Sequence, residues 1–451
     1  MGDARAYALP VPDEIDATEL PVSGAIPPAL CGRYVRNGPN ALPGADLSDP
    51  RHFFSGPGML HGVRLRDGRA LWYRNRWVRT QRFLDERAGR PLRTDLRSVS
   101  ANTHIIEHAG RLLALVESGL PHEVTLDLNT VGPCDFGGRL TTAMTAHPRL
   151  DPRSGELHFF GYGTTAPYVT YHRLSAGGEL TASTGIEVPA PTMMHDFAIT
   201  DRHIVWLDLP VTYAPELRGR GMPFRWNDTY GARIGVMPRE GRTAVRWFDI
   251  DPCYVFHLGN ARDDGDRVVV DGCRYGEATF PREWRRFSGE ESVRPLQLPL
   301  DPGRAEAARL HRWILDLTTG RAREERLDDC NVEFPTLRGD YVGRHNRYLY
   351  AVTETPDGIA KYDLVSGART RHELPDCAVG EAVFVPAPDA DAEDAGWLLS
   401  IVTDRGGRSS RLLVLDAGDL AAPPVARVHL PRRVPTGFHG SWIPDTVDPV
   451  R

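Results

Sequence analysis

The feature that most constrains this chain is the repetition of short hairpin patterns along almost its whole length. Runs of alternating or β-branched residues, each interrupted by a turn signal, recur in segments such as VRLRDGRALWYRNR, LDPRSGELHFFGY and KYDLVSGARTRHELP,. Long helical periodicity is nearly absent. A chain of 451 residues built from successive hairpins favours one repeated sheet architecture over several unrelated domains,.

A β-propeller is the repeated architecture that best fits these hairpins, because radially arranged four-stranded sheets protect their edges by closing into a ring. Seven blades would take about 64 residues each. We therefore predict an all-β, seven-bladed propeller that forms a single domain over residues 1–451 and begins with an extended segment over residues 1–30. A dinucleotide-binding fold is a poor alternative, because the lone Gly161-x-Gly163-x-x-Ala166 is not followed by a helical pattern,.

Charge and apolar composition exclude several classes of partner. The formal net charge of -6 provides no basic field for nucleic acid or anionic lipid, so we expect no nucleic-acid partner,. No apolar run approaches the roughly 18 residues that a membrane-spanning helix needs. The acidic, proline-interrupted N-terminus lacks the features of a signal peptide, and the six cysteines form no C-x-x-C pair,. These features predict a soluble, cytoplasmic protein.

Four of the 16 histidines stand beside apolar, glycine or proline residues rather than in charged turns: His147, His195, His257 and His439. They are separated by 48, 62 and 182 residues, which correspond to about one, one and three blades,. Equivalent positions on the innermost strands of a propeller all point toward its axis, so these side chains can converge there. By pattern alone they fit either hydrogen-bonded core residues or a four-histidine metal site.

Three glutamates occupy similarly apolar runs: Glu117, Glu333 and Glu381. A glutamate is rarely buried without a partner. A buried carboxylate beside a metal-binding histidine usually accepts the imidazole N–H and fixes the tautomer of the ring. The glutamates fit a metal site, in which each would orient one imidazole, but by pattern alone a hydrogen-bonded core stays open as the alternative.

Motifs of other metal and hydrolytic chemistries are missing from the sequence. No histidine has Asp or Glu two residues later, as a two-histidine, one-carboxylate iron site would often show, and there is no H-E-x-x-H or G-x-S-x-G,. A calcium-dependent propeller hydrolase would need convergent oxygen ligands, whereas the marked positions are mainly imidazoles. A propeller that only binds partners, with histidines filling its centre, is the alternative outside enzymes.

The sequence resembles the carotenoid cleavage oxygenase family over nearly its entire length. The resemblance lies in ordered, distinctive motifs: GRYVRNGPN, FSGPGMLHGVRL, RNRWVRT, NTHIIEHAGRLLALVESGLP, TAHPRLDP, MMHDFAIT, YVFHLGNA, EFPTLR, GEAVFVP and GFHGSW. One departure is visible at Ser55 and Pro57, where many relatives carry aspartate. The resemblance implies a seven-bladed propeller covered on one face by a dome of loops and short helices.

The resemblance also implies the chemistry of the site. His147, His195, His257 and His439 match the four ligands of an Fe(II) ion, and Glu117, Glu333 and Glu381 match the carboxylates behind them. The implied reaction adds O2 across a carbon–carbon double bond of an apolar alkene and yields two carbonyl products. No 2-oxoglutarate, flavin, nicotinamide or other bound cofactor is implied.

Relatives act on two classes of alkene, which are carotenoids or apocarotenoids and phenolic stilbenes or phenylpropenoids. Members that cleave phenols hold the hydroxyl group with a tyrosine and a lysine, and the matching positions here are Phe83 and Val116. Because neither side chain can hydrogen-bond a phenol, a polyene substrate is favoured. The candidates for the wall of the substrate tunnel are Phe54, Phe83, Val116 and Tyr275.

Residues 210–232 match the part of the family that forms a dome or entrance loop. In relatives that extract substrate from membranes this region is apolar. Here it carries four charged residues, Glu216, Arg218, Arg220 and Arg225. The sequence therefore predicts at most peripheral contact with a membrane.

Overall fold

The computed structural model of the protein describes residues 6–47, 54–219, 221–240, 244–277, 280–281, 284–285, 308–354 and 357–445. In the first half of the chain the strands are β1 (Asp16–Thr18), β2 (Val22–Gly24), β3 (Gly32–Pro39), β4 (Gly58–Arg66), β5 (Arg69–Trp77), β6 (His104–His108), β7 (Arg111–Leu115), β8 (His122–Val124), β9 (Thr130–Pro133), β10 (Arg149–Leu150), β11 (Leu157–Tyr162), β12 (Val169–Leu174), β13 (Leu180–Ile186), β14 (Phe197–Ile199), β15 (His203–Asp208), β16 (Val211–Tyr213) and β17 (Phe224–Trp226).

The second half continues with β18 (Ala232–Pro238), β19 (Arg246–Ile250), β20 (Cys253–Asp264), β21 (Arg267–Gly276), β22 (Arg309–Asp316), β23 (Arg321–Thr336), β24 (Tyr348–Glu354), β25 (Asp357–Asp363), β26 (Arg369–Glu373), β27 (Cys377–Val379), β28 (Val383–Pro386), β29 (Gly396–Asp404), β30 (Ser410–Asp416), β31 (Ala426–His429) and β32 (Gly440–Pro444). One α-helix has both ends in the described residues, α1 (Gln81–Arg87), and short 3-10 turns span Ala6–Ala8, Pro215–Leu217 and Gly339–Tyr341.

These strands form seven blades. Blade 1 has the order β1-β5-β4-β3-β32, blade 2 contains β6 to β9, and blade 3 contains β10 to β13. Blade 4 contains β14, β15, β18 and β19, with the β16–β17 hairpin inserted into it. Blade 7 contains β2, β31, β30 and β29, and β29 also pairs with both β27 and β28. The predicted all-β propeller is confirmed.

Blades 5 and 6 are joined in one seven-stranded sheet because both use the long strand β23. The first part of β23, up to Asn331, pairs with β22 of blade 5. From Val332 onward the strand pairs with β24 of blade 6. Glu333 therefore lies just beyond the point where the chain passes from one blade to the next.

The two ends of the chain close the ring. The C-terminal strand β32 pairs with β3 of blade 1, and the N-terminal strand β2 pairs with β31 of blade 7. β1 pairs with the outer strand β5 of blade 1. Within the described residues 6–30, the N-terminal segment thus runs along the outer strands of two neighbouring blades.

The core lies between the blades, and strand β30 shows why its sequence is continuously apolar. Leu412 and Val414 belong to the cluster between blades 7 and 1, while Leu413 and Leu415 belong to the cluster between blades 6 and 7. Alternate side chains leave opposite faces of a strand, so a strand covered on both faces requires apolar residues at successive positions. In the part of the chain that the structure describes, no helix is both long and apolar enough to cross a membrane.

Candidate metal centre

The four marked histidines lie on or just before the innermost strand of their blades. His147 precedes β10, His195 precedes β14, His257 lies in β20 and His439 precedes β32. Their rings meet at the axis, with centroid separations of 4.5 Å (His147–His195), 5.0 Å (His147–His257), 4.6 Å (His147–His439), 5.3 Å (His195–His257) and 4.8 Å (His257–His439). One ring nitrogen from each of the first three histidines lies within 4.8 Å of the others.

Each of the three marked glutamates accepts a hydrogen bond from one of these histidines. His195 Nδ1 donates to Glu117 over 2.7 Å, and His257 Nδ1 donates to Glu333 over 2.5 Å. His439 Nδ1 donates to Glu381 over 3.0 Å, and the second oxygen of Glu381 accepts the backbone N–H of Gly440. Because each Nδ1 carries the proton, Nε2 of each ring carries a lone pair.

The Nε2 atoms that point toward the axis are placed to bind a divalent cation. Nε2 of His257 is buried and has no hydrogen-bond partner among the described residues. A buried acceptor without a partner lowers stability, and a cation bound to this nitrogen would remove that cost. Nε2 of His147 and Nε2 of His195 lie 3.0 Å apart. Two nitrogens bound at right angles to one ion at about 2.1 Å would be separated by about 3.0 Å. Convergent neutral imidazoles suit transition metals such as Fe(II) better than Ca2+.

Burial and neighbouring charges shift the pKa values of the side chains in this group in different directions. Burial lowers the pKa of His147 well below its usual value, and the surrounding histidines lower it further. Burial opposes ionisation of Glu381, but His439 and the Gly440 N–H outweigh it and lower the pKa of this carboxyl. Burial also disfavours protonation of His195, yet Glu117 outweighs it and raises the pKa of that ring. Proton loss is thus favoured at His147 and at Glu381, whereas a metal at this site would compete with a proton for His195,.

The glycines beside His439 permit a close approach of the chain to blade 1. A Cβ on Gly437 would lie 2.8 Å from the carbonyl oxygen of Asn37, and one on Gly440 would lie 2.8 Å from the Tyr34 hydroxyl. Both distances are shorter than a methyl group tolerates. Trp442 packs against the core cluster between blades 7 and 1. Glycine on both sides is therefore needed to bring the His439 imidazole to the axis.

A cavity of about 760 Å³ opens above the histidines, and His195, His257 and His439 form part of its wall. The dome contributes Met222 and Phe224 from the segment 210–232, together with Arg82 from α1. Aromatic rings approach the imidazoles directly. Phe256 meets His195 edge-on at 5.2 Å between centroids, and Phe334 stacks on His257 at 5.0 Å.

Three of the four predicted tunnel residues line this cavity: Phe54, Val116 and Tyr275. Phe83 is not among its lining residues. It is 2% exposed and packs against Trp77, with ring centroids 5.9 Å apart, in a small core cluster. Its neighbour Arg82 faces the cavity instead.

A fifth histidine, His104, lies beside the centre and was missed by the sequence analysis. Its ring is 5.1 Å from that of His439. Nδ1 of His104 donates to the carbonyl oxygen of Ala146, and burial lowers the pKa of the ring to about 4. Its sequence context, NTHIIEH, has polar and charged neighbours, so it lacks the apolar setting that marked the other four.

Fold and site together define the class of protein: a propeller with an axial cluster of histidines, able to hold a metal ion, beneath an apolar cavity. Residues 8–444 match the family model described as retinal pigment epithelial membrane protein, RPE65. The carotenoid cleavage oxygenase of Mycobacterium tuberculosis is 40% identical over 509 aligned positions, which cover 98% of this chain and 97% of that protein. The carotenoid 9,10(9',10')-cleavage dioxygenase 1 of Arabidopsis thaliana is 34% identical over 490 positions, covering 96% of this chain and 88% of that protein.

Solved structures give the same result. Cobalt-substituted apocarotenoid oxygenase of Synechocystis superposes with a TM-score of 0.86 at 29% identity, covering 97% of this chain and 98% of that one. A chimera of that enzyme with RPE65 gives a TM-score of 0.86 at 28% identity, covering 97% of each chain. The chain belongs to the RPE65/carotenoid cleavage oxygenase family. It is an oxygenase of the dioxygenase type.

Proposed function

We propose that this protein is a non-haem Fe(II) oxygenase that uses O2 to cleave a carbon–carbon double bond of an apolar alkene into two carbonyl products. The observation that carries the proposal is the convergence of four imidazoles, three of them bonded to carboxylates, at the base of a largely apolar cavity. His147, His195, His257 and His439 would hold the iron. When bound, Fe(II) supplies the one-electron chemistry that lets dioxygen react with a closed-shell alkene.

The carboxylates orient the site and balance its charge. Glu117, Glu333 and Glu381 accept hydrogen bonds from the Nδ1–H groups of their histidines. These bonds turn the Nε2 lone pairs toward the axis and make the rings more basic,. Their negative charge offsets that of a dication among neutral ligands. His147 has no carboxylate partner among the described residues; its backbone N–H donates to Thr145 Oγ1 over 3.1 Å.

The cavity wall supports a polyene, a carotenoid or apocarotenoid, as the substrate. Near the histidines the wall is formed by Phe54, Phe256 and Phe334, with Val116 next to Glu117. The only lysine, Lys361, donates to Asp394 over 2.6 Å and to the Ala417 carbonyl, and it does not line the cavity. No lysine is therefore placed to hold a phenol. The names of the relatives, which refer to carotenoid cleavage, support the same substrate class.

A phenolic alkene is the second candidate, because polar side chains also lie in the same wall. Arg82 and the Tyr275 phenol both line the cavity and can hydrogen-bond a hydroxyl group,. Cleavage of a stilbene or phenylpropenoid would use the same centre. The choice between the two classes depends on which end group the wall accepts.

We propose that residues 1–451 work as one catalytic domain. The charges of its dome allow at most peripheral contact with a membrane. Arg225 and Glu216 form an exposed ion pair of 2.9 Å, and the Arg218 guanidinium lies over the ring of Tyr213. Exposed charges disfavour deep insertion into hydrocarbon. Arg220 lies outside the described residues.

The proposal is tested by anaerobic reconstitution with Fe(II), followed by a product screen with an apocarotenal and a hydroxystilbene under air. We expect one iron per chain and two carbonyl products from the apocarotenal, with no reaction under nitrogen. Turnover of the stilbene alone would replace the polyene by the second candidate. A chain that binds no iron would be a binding propeller, and activity with Ca2+ that ignores oxygen would make it a hydrolase.

A further inference from the structure

A buried ion pair lies directly behind the metal centre and outside the cavity wall. Arg149 stands two residues after His147, and Asp196 directly follows His195. Nη2 of Arg149 donates to both carboxylate oxygens of Asp196, over 2.7 and 2.6 Å. The side chain of Asp196 is 1% exposed and that of Arg149 is 19% exposed.

The same two side chains also bind the backbone of a third ligand segment. Leu258, which directly follows His257, donates its N–H to Asp196 over 2.8 Å and accepts from Arg149 through its carbonyl oxygen over 3.3 Å. The other Asp196 oxygen accepts the N–H of Phe197, whose carbonyl oxygen accepts from Arg149 Nε. One ion pair thus joins the chain at β10, β14 and β20, the first strands of three successive blades.

We propose that Arg149 and Asp196 are positioning residues that set the spacing of three metal ligands, His147, His195 and His257. This inference rests on the proposed metal centre. The glutamates act on the imidazole rings through Nδ1, whereas this pair bonds the backbone at Phe197 and Leu258 and is held two residues from His147 by Arg149 itself. A buried carboxylate is costly unless its oxygens are satisfied, and here two backbone N–H groups and a guanidinium satisfy them. The hydrogen bonds fix the ligand segments relative to one another before a metal binds.

Two other buried ion pairs show what is particular to this one. Asp208 pairs with Arg233 between adjacent strands of blade 4, and Asp271 pairs with Arg312 between adjacent strands of blade 5. Each joins two strands within a single blade. Asp208 is 0% exposed, and its nearest contact to a ligand is the hydrogen bond from Thr192, three residues before His195. Asp208→Asn is therefore a matched control that removes a buried charge without touching a ligand or a residue adjacent to one.

The test is the affinity of the metal-free protein for Co2+, measured by chelator competition and by the visible spectrum of the bound ion. We expect Asp196→Asn to raise the Kd for Co2+ about 10 to 100-fold, the usual effect of losing a partner one step from a metal ligand, and to shift the cobalt spectrum. Asp208→Asn should leave the Kd for Co2+ and the cobalt spectrum unchanged. This difference should hold even if Asp196→Asn and Asp208→Asn lower the melting temperature of the metal-free protein equally.

A second variant covers the case in which Asp196→Asn does not fold. Arg149→Lys keeps the charge but provides a single nitrogen, so it should also raise the Kd and shift the spectrum. A wild-type Kd in both variants would overturn the inference, as would equal weakening by Asp208→Asn. A wild-type protein that binds neither Co2+ nor Fe2+ would overturn the proposed function first. The two failures are therefore distinguishable.

Discussion

Nε2 of His147 and Nε2 of His195 lie 3.0 Å apart at the propeller axis. Nδ1 of His195 already donates to Glu117, so its Nε2 directs a lone pair at the neighbouring ring. Nε2 of His257 is buried close by without a partner in the described part of the chain. A cation at this point would take both lone pairs, whereas in its absence the two nitrogens are joined only by a hydrogen bond for which His147 must carry its proton on Nε2,.

Metal binding should therefore stabilise the folded chain. A ligand present at about 100 times its Kd adds roughly 2.7 kcal/mol to the free energy of unfolding. We expect Fe2+ or Co2+ to raise the melting temperature of chelator-treated protein, recorded anaerobically by calorimetry. Ca2+ should leave it unchanged, because the convergent donors are nitrogens; stabilisation by Ca2+ alone would contradict the assignment.

Replacing His257 by alanine should abolish iron binding and activity. The substitution removes one donor and leaves Glu333, which is 3% exposed, without its imidazole partner. Iron per chain measured after anaerobic reconstitution checks the first effect, and product formation checks the second. His311→Ala is the control, because His311 also pairs with a glutamate in blade 5 but lies away from the axis. Retention of iron and full activity in His257→Ala would remove this histidine from the ligand set.

Glu333→Gln should weaken metal affinity or lower the rate by about 10 to 100-fold. The glutamine side-chain oxygen can still accept a hydrogen bond from the Nδ1–H of His257, but glutamine carries no negative charge to raise the basicity of the ring. Chelator competition and steady-state rates separate the two effects. Glu324→Gln is matched, since Glu324 lies on the same strand and accepts from His311 over 3.2 Å. Equal effects of both substitutions would assign Glu333 a purely structural role.

The histidines could be located from sequence because each has a local signal. An imidazole beside glycine, proline or apolar residues stands out among polar and charged turns, and blade-length spacing suggested convergence. The glutamates stood out for a similar reason, as charges in apolar runs. Successive hairpins and the absence of helices predicted a propeller, and the family resemblance implied seven blades. The sharing of β23 by two blades could not be predicted, since no residue signal marks the change of partner strand at Val332.

The aromatic rings of the site could not be found in the same way. Strand alternation places Phe256 and His257 on opposite faces, but the register with β21 shifts between Val255 and Leu258 and both rings reach the centre. Phe334 has φ of 52° beside a similar shift after Glu333. Irregularities of this kind depend on the neighbouring strand, which a single sequence does not reveal.

Val116 and Phe83 should respond differently to substitution because only Val116 lines the cavity. Val116→Phe fills space beside Glu117 and should lower kcat/KM for a long polyene at least about tenfold, the lower end of the range for size changes in an apolar pocket. Phe83→Ala should lower the free energy of unfolding by about 3 to 5 kcal/mol and leave the ratio of polyene to stilbene turnover unchanged. A changed ratio in Phe83→Ala would return that side chain to the tunnel wall.

Acid should selectively remove the stabilisation provided by Asp151. Burial alone would raise the pKa of this carboxyl, but the Arg153 N–H and the Arg239 guanidinium, 2.6 Å away, outweigh it and lower the pKa to about 2. A carboxyl with a lowered pKa in the folded state stabilises the protein above its unfolded pKa of about 3.9 and loses that contribution as pH falls toward 2.

Asp151→Asn should therefore be less stable than wild type at pH 6, and the difference should shrink between pH 4 and 2. Urea unfolding at a series of pH values measures it. Asp201→Asn is the control, because that exposed carboxylate pairs with Arg153 on the surface over 3.3 Å and should contribute little at any pH,. A difference between wild type and Asp151→Asn that stays constant down to pH 2 would show that the folded and unfolded pKa values of this carboxyl are equal, and a difference that grows as pH falls would show that burial governs it instead,.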